Sequence, residues 1–133
     1  MKKTGIINHD LADVIAAMGH TDMLTVCDAG LPIPGEVRRI DLALKKGQPT
    51  FEDTLAVIAT ELQVERVIVA AEMVSVSPHI KQAIENAFPK VEIQAITHED
   101  FKRLSRQSKA IVRTGEFTPY ANVILVSGTW GFK

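Results

Sequence analysis

The sequence predicts an α/β fold: a single three-layer domain over residues 1–133, with a mainly parallel central sheet and helices on both faces. Three observations carry that expectation. Short apolar runs rich in β-branched residues, Met23–Cys27, Val64–Ala71 and Val123–Val126, have the composition of strands covered on both sides. Segments with apolar residues at the 3.6-residue helical spacing alternate with them. Turn residues separate one element from the next, and no repeat, low-complexity tract or linker divides the chain.

Taken in order, Asn8 is placed to cap a helix whose face is Leu11, Val14, Ile15 and Met18. Gly19 stands where a left-handed residue ends such a helix. Met23–Cys27 is the first strand, and Gly30-Leu31-Pro32-Ile33-Pro34-Gly35 is a loop that its prolines and glycines keep irregular. Alternation from Val37 to Leu44 predicts a second strand. Thr50 and Asp53 make a capping pattern ahead of a helix with Phe51, Leu55, Ile58 and Leu62 on one face. Val64–Ala71 follows as a buried strand. Ser77-Pro78 then pairs an N-cap with proline at the first helical position, and that helix runs to Phe88. Val91, Ile93 and Ala95 alternate as a strand, and Thr97 caps a helix opening at His98. Ala110–Val112 and Val123–Val126 supply the last two strands. In such sheets ligands bind beyond the C-terminal ends of strands, which is where Asp28 falls.

Composition narrows the function. The chain has 15 Lys and Arg against 16 Asp and Glu, a net charge of −1, and no basic stripe of the kind nucleic-acid binding requires. No apolar run approaches the roughly 18 residues of a membrane span, and no signal-peptide core follows Met1, so no membrane partner is expected. One cysteine, Cys27, cannot pair within the chain and sits in an apolar strand, which fits a reducing cytoplasm and an inert thiol. Glycine-rich phosphate loops and the G-x-S-x-G elbow are absent, and His9, His20, His79 and His98 do not pair at metal-ligand spacing. Neither a cofactor nor a metal is expected.

The polar residues concentrate in three places. His20, with Asp22, precedes the first strand and Asp28 follows it. Thr97-His98 opens a helix with Lys102 one turn on. Arg113-Thr114-Gly115-Glu116-Phe117-Thr118-Pro119-Tyr120-Ala121-Asn122 links two strands. Tyr120 offers a flat face with a hydroxyl and Asn122 a donor with an acceptor, groups suited to a neutral polyol. Fully extended, the eight steps from His20 to Asp28 would span about 26 Å. Either the chain folds back at Gly19–Asp22, or these two residues of one chain do not serve the same ligand.

The blocks Gly19-His20-Thr21-Asp22, Asp28-Ala29-Gly30-Leu31-Pro32, Arg113-Thr114-Gly115-Glu116 and Thr118-Pro119-Tyr120-Ala121-Asn122 resemble the D-ribose pyranases, in the same order. The resemblance extends from Lys3-Thr4-Gly5-Ile6 to Asn122. It implies an enzyme that interconverts the pyranose and furanose forms of D-ribose and supplies the furanose to ribose catabolism. It also implies a cytoplasmic, ring-shaped homo-oligomer, a decamer, with sites built between subunits. By the family's pattern His20 is the proton donor, and Asp28, His98, Tyr120 and Asn122 bind the sugar, with Tyr120 and Asn122 lent by a neighbouring subunit. Lys102 and Ala121 are supporting residues, and Arg113 and Glu116 receive no role. The rival readings are a non-catalytic sugar-binding or regulatory subunit of ribose uptake, and a mutarotase for another sugar such as fucose. Opening a cyclic hemiacetal needs one proton delivered to the ring oxygen and one removed from the anomeric hydroxyl. That is acid–base work near neutral pH, for which histidine is suited.

Overall fold

The computed structural model describes residues 1–131, so the tail residues Phe132 and Lys133 lie outside the described residues. The caps form where the side chains allow them. Asn8 Oδ1 accepts from the Leu11 N–H at 2.9 Å to start helix α1 (His9–Ala17), and Thr50 Oγ1 accepts from the Asp53 N–H at 3.0 Å to start α2 (Phe51–Ala59). The remaining helices are α3 (Ala71–Val76), α4 (Pro78–Ala87) and α5 (His98–Ser105), the last capped by Thr97. The strands are β1 (Met23–Cys27), β2 (Arg39–Asp41), β3 (Val64–Ala70), β4 (Glu92–Ile96), β5 (Ala110–Arg113) and β6 (Val123–Ser127).

They form one six-stranded sheet in the order β2-β5-β1-β6-β3-β4. β5 runs parallel to β1 and β2, and β4 parallel to β3, while β6 lies between β1 and β3 and is antiparallel to both. Five strands therefore share one direction and β6 alone opposes them. One sheet edge collects the C-terminal ends of the five and the start of β6. The opposite edge collects their beginnings and the end of β6.

Alternation along the strands sorts the core into two layers. Leu24, Val26, Val67, Val69, Val112, Val123 and Leu125 face a large cluster with Leu11 and Val14 of α1, Phe51, Leu55 and Ile58 of α2, and Ile80 and Ile84 of α4. Cys27, Ile68, Ile111, Ile124 and Val126 face a smaller one, closed by Phe101 of α5 and by Leu31 and Val37 of the loop after β1. With Met73 of α3 also in the larger cluster, helices cover both faces, four contributing to one and α5 with a loop to the other. No helix among the described residues is long and apolar enough to cross a membrane.

Four local expectations are corrected. The Val37–Leu44 strand shrinks to Arg39–Asp41, because Val37 N–H turns back to Pro34 O, Asp41 Oδ1 takes the Ala43 N–H, and Leu44 pairs with Gln48 across a tight turn. Gly19 does not supply the left-handed residue. Met18 ends α1 in an extended conformation, Gly19 N–H is held by Asp22 Oδ2 at 2.9 Å, and Thr21 takes φ 71° instead. Ser77 makes no side-chain cap for α4, since the unforeseen helix α3 runs into it and its hydroxyl donates to Pro119 O at 2.7 Å. The helix after Thr50 stops at Ala59, and Leu62 packs into the core beyond it.

Candidate active site

The topology explains why residues far apart in sequence meet. Asp28 follows β1, Glu72 follows β3, His98 follows β4 and Asn122 precedes β6, all at the edge where the five co-directional strands end. Asp28, Leu31, Pro32, His98, Tyr120 and Asn122 line one cavity there, of about 210 Å³. The Asp28 backbone N–H donates to Asn122 Oδ1 at 2.9 Å, while Asp28 Oδ1 accepts from Gly30 N–H at 2.9 Å and so fixes the turn. Burial pushes the Asp28 carboxyl above its ordinary range, against the pull of the Gly30 and Leu31 N–H groups and the neighbouring Asn122 amide.

His98 is the first residue of α5, and its backbone N–H is taken by both oxygens of the Glu72 carboxylate, at 3.0 and 3.2 Å. Its ring meets Tyr120 edge-on, with centroids 5.0 Å apart and planes at 81°, and stacks near Phe101. Tyr120 is held at φ 61°, a conformation a bulky residue keeps only where its surroundings impose it. Two buried polar atoms of residues that line this cavity, His98 Nδ1 and Asn122 Nδ2, make no hydrogen bond to any described residue. Such atoms are costly unless something polar meets them. The cavity therefore offers a carboxylate, an imidazole, a phenol and an amide to a small neutral ligand, and no group of three or more metal-ligating side chains gathers among the described residues.

This geometry corrects the expected division between subunits. Tyr120 and Asn122 join Asp28 and His98 within one chain, because the antiparallel course of β6 brings its first residues to the edge where β1 ends. His20 is the residue that stands apart. It sits beyond the start of β1, so the strand's four steps, about 13 Å, and the turn at either end separate it from Asp28. Its side chain is 52% exposed, and its Nε2 lies 3.0 Å from Glu65 Oε2. Lys102 pairs with Glu99 at 2.8 Å on the surface of α5, and Ala121 is buried in the larger core, so neither lines the cavity.

Residues 1–130 match the RbsD / FucU transport protein family. The chain belongs to that family. The D-ribose pyranase of Bacillus subtilis (strain 168) is 52% identical over 128 residues, which are 96% of this chain and 98% of that protein. The D-ribose pyranase of Clostridium botulinum (strain Eklund 17B / Type B) is 54% identical over the same shares. The solved structure of Bacillus subtilis RbsD complexed with D-ribose superposes with a TM-score of 0.94 at 51% identity, covering 97% of this chain and 98% of that one. The fold class and the resemblance read from the four sequence blocks are both borne out.

Within this RbsD / FucU member, the Arg113-Thr114-Gly115-Glu116 block is a clamp on the turn that carries Asp28. Arg113 Nε donates to Ala29 O at 3.0 Å and its Nη1 reaches the Asp41 carboxylate. Thr114 Oγ1 donates to Cys27 O at 2.7 Å, and the Ala29 N–H returns to Glu116 O. Glu116 accepts from the Phe51 N–H at the start of α2 and from the Thr118 hydroxyl at 2.8 Å, which ties α2 to the loop bearing Tyr120. Gly115 packs against backbone, where an added Cβ would lie 2.5 Å from Gln48 O. Glu72 and Glu65 were missed from sequence. Glu72 has a faint signal, an acid directly after a buried strand. Glu65 has none before pairing is known.

Proposed function

We propose that this protein is a D-ribose pyranase that interconverts the pyranose and furanose forms of D-ribose by acid–base-catalysed ring opening and reclosure, supplying furanose to ribose catabolism. One observation carries the reading on the structural side. Asp28, His98, Tyr120 and Asn122 converge on a cavity that leaves the buried His98 Nδ1 and Asn122 Nδ2 to be met by a ligand's hydroxyls. The 52% and 54% identity to proteins named D-ribose pyranase supports the same substrate and activity.

In this reading Asp28 and Asn122 hold sugar hydroxyls, Tyr120 and His98 flank the ring, and His20 delivers the proton to the ring oxygen. As the C1–O bond breaks, the anomeric oxygen becomes the aldehyde carbonyl and releases its proton. Reclosure through a different hydroxyl gives the other ring size. Since His20 lies at the far end of β1 from the cavity, the His20 serving one sugar comes from a neighbouring copy of the chain. The resemblance supplies the ring and the count of ten chains. A shared surface is supported by Ile7 and Leu44, each 80% exposed, and by the apolar cleft of about 340 Å³ that Ile7 lines with Leu42 and Val57. The free, buried Cys27 fits a cytoplasmic setting.

Saturation-transfer NMR of D-ribose tests the assignment. The parent protein speeds exchange between ring forms and the His20→Ala variant does not. Equal exchange with both proteins removes His20 from the chemistry, and failure of the parent to speed exchange leaves the alternative, a sugar-binding subunit without turnover. Light scattering gives a mass of ten chains if the ring is correct.

A further inference from the structure

Glu65 sits at an irregularity in β3. Val64 pairs with Ser127 and Arg66 with Val126, so one residue of β3 has no counterpart on β6, and that residue is Glu65. Period-two alternation back from Val69 and Val67 assigns Glu65 to the large helix-covered core. The bulge gives that place to Val64, which is 4% exposed within the cluster, and leaves Glu65 free to turn elsewhere. Its carboxylate reaches His20, with Glu65 Oε2 3.0 Å from Nε2 and the Glu65 side chain 20% exposed.

His20 is held from its other side as well. Thr21, a β-branched residue, is kept at φ 71° by its N–H bond to Ser127 O at 2.8 Å, and Gly19 and Asp22 close the turn. A bulge that re-aims one side chain and a left-handed threonine that places the next thus act on the same imidazole. Such features persist where surrounding structure over-determines them, and bulges recur beside reaction centres.

We infer that Glu65 is the positioning residue for His20, holding Nε2–H so that Nδ1 is the atom that exchanges protons with the sugar. This rests on the proposed role of His20 as proton donor. A carboxylate is acceptor-only when ionised, so it takes Nε2–H whether the ring is neutral or cationic, and Nδ1 alone is left to alternate between bare and protonated. In the forward step the Nδ1 proton passes to the ring oxygen as the C1–O electron pair moves to that oxygen, and the anomeric O–H gives its proton to water. On reclosure another hydroxyl oxygen bonds to C1 and gives its proton to Nδ1. The C=O π pair moves to the carbonyl oxygen, which takes a proton back from water, and the protein is left unchanged. A triad aspartate fixes its histidine's tautomer by the same logic, through the opposite ring nitrogen.

The test combines kinetics with the tautomer itself. Ribose exchange is measured by saturation transfer, and His20 is read by two-bond ¹⁵N–¹H correlation on the ¹⁵N-histidine-labelled full chain, for the parent, Glu65→Ala and Glu65→Gln. The parent is expected to show the Nε2–H form. Glu65→Ala is expected to show mixed tautomers and at least a tenfold loss of kcat with KM within twofold. Glu65→Gln, which keeps an acceptor oxygen, is expected to recover the Nε2–H form and most of the rate. A parent ring in the Nδ1–H form, or a Glu65→Ala kcat within twofold of the parent, overturns the inference while an inactive His20→Ala keeps the acid assignment standing. An active His20→Ala removes that assignment and this inference together. Should Glu65→Ala fail to fold, the parent spectrum and Glu65→Gln decide.

Discussion

Asp28 and Asn122, 94 residues apart, are joined by a hydrogen bond from the Asp28 backbone N–H to Asn122 Oδ1 at 2.9 Å. The bond spends the oxygen of the amide on the fold, and the buried Nδ2 of the same cavity-lining residue makes no hydrogen bond to a described residue. In the proposed site one side chain would serve stability with one atom and ligand recognition with the other.

Asn122→Asp separates the two duties. The acceptor for Asp28 N–H survives and the donor does not, and a second carboxylate faces Asp28. Ribose affinity by calorimetry is expected to fall at least tenfold. Asn122→Ala abolishes both, and the half-buried N–H left unpaired costs about 1 kcal/mol in chemical denaturation.

Asp28→Asn sets stability against the proposed sugar binding. Burial raises the folded-state carboxyl above its unfolded value, so its contribution is fully present below the ordinary carboxylate range of about 4 and is lost as pH rises through the raised value. Asp28→Asn is therefore expected to melt above the parent at pH 7 and to lose that advantage near pH 3, while binding ribose more weakly. Melting curves across pH check the sign.

Glu116 carries the opposite sign. Burial alone would raise its carboxyl, but the hydrogen bonds from the Phe51 N–H and from the Thr118 hydroxyl and N–H outweigh it, and the carboxyl lies below its ordinary range. Its stabilisation is present above the ordinary carboxylate range and is lost as pH falls through the lowered value. Glu116→Gln is expected to melt below the parent at pH 7, with the two curves converging in acid. Glu116→Ala, which leaves the Phe51 N–H without its acceptor, costs about 1–3 kcal/mol.

Gly115→Ala tests why a glycine stands inside the clamp. The new Cβ would lie 2.5–2.7 Å from the backbone of Lys45 and Gln48, and backbone cannot swing aside as a flexible side chain can. About 3 kcal/mol of destabilisation is expected, the upper range for overpacking, with low soluble yield.

The sequence made the strands, the caps at Asn8, Thr50 and Thr97, and the strand-end position of Asp28 legible, because each depends on neighbours within a few residues. The strand between His20 and Asp28 was legible too, and with it the question whether the two serve one ligand. Pairing was not legible. A strand covered on both faces reads the same in either direction, so nothing in Val123–Val126 announced that β6 opposes its neighbours. From that one reversal follows the placement of Tyr120 and Asn122 beside Asp28 of the same chain, while the bulge at Glu65 shows only once the β3–β6 register is known. Arg113 and Glu116 drew no role because their partners, Ala29, Asp41 and Phe51, are between 65 and 84 residues away.

The strand that reverses is also the sixth in chain order, yet it sits inside the sheet between β1 and β3. During synthesis β2, β5 and β1 can pair on one side and β3 and β4 on the other, but no strand ladder joins them until residues 123–127 emerge. Those residues then slot between two waiting edges, an event of long sequence separation and correspondingly slow closure. A chain ending before Val123 would leave the inner edges of β1 and β3 without their shared partner. Folding of the sheet and completion of the cavity are thus a single late step in the life of the chain.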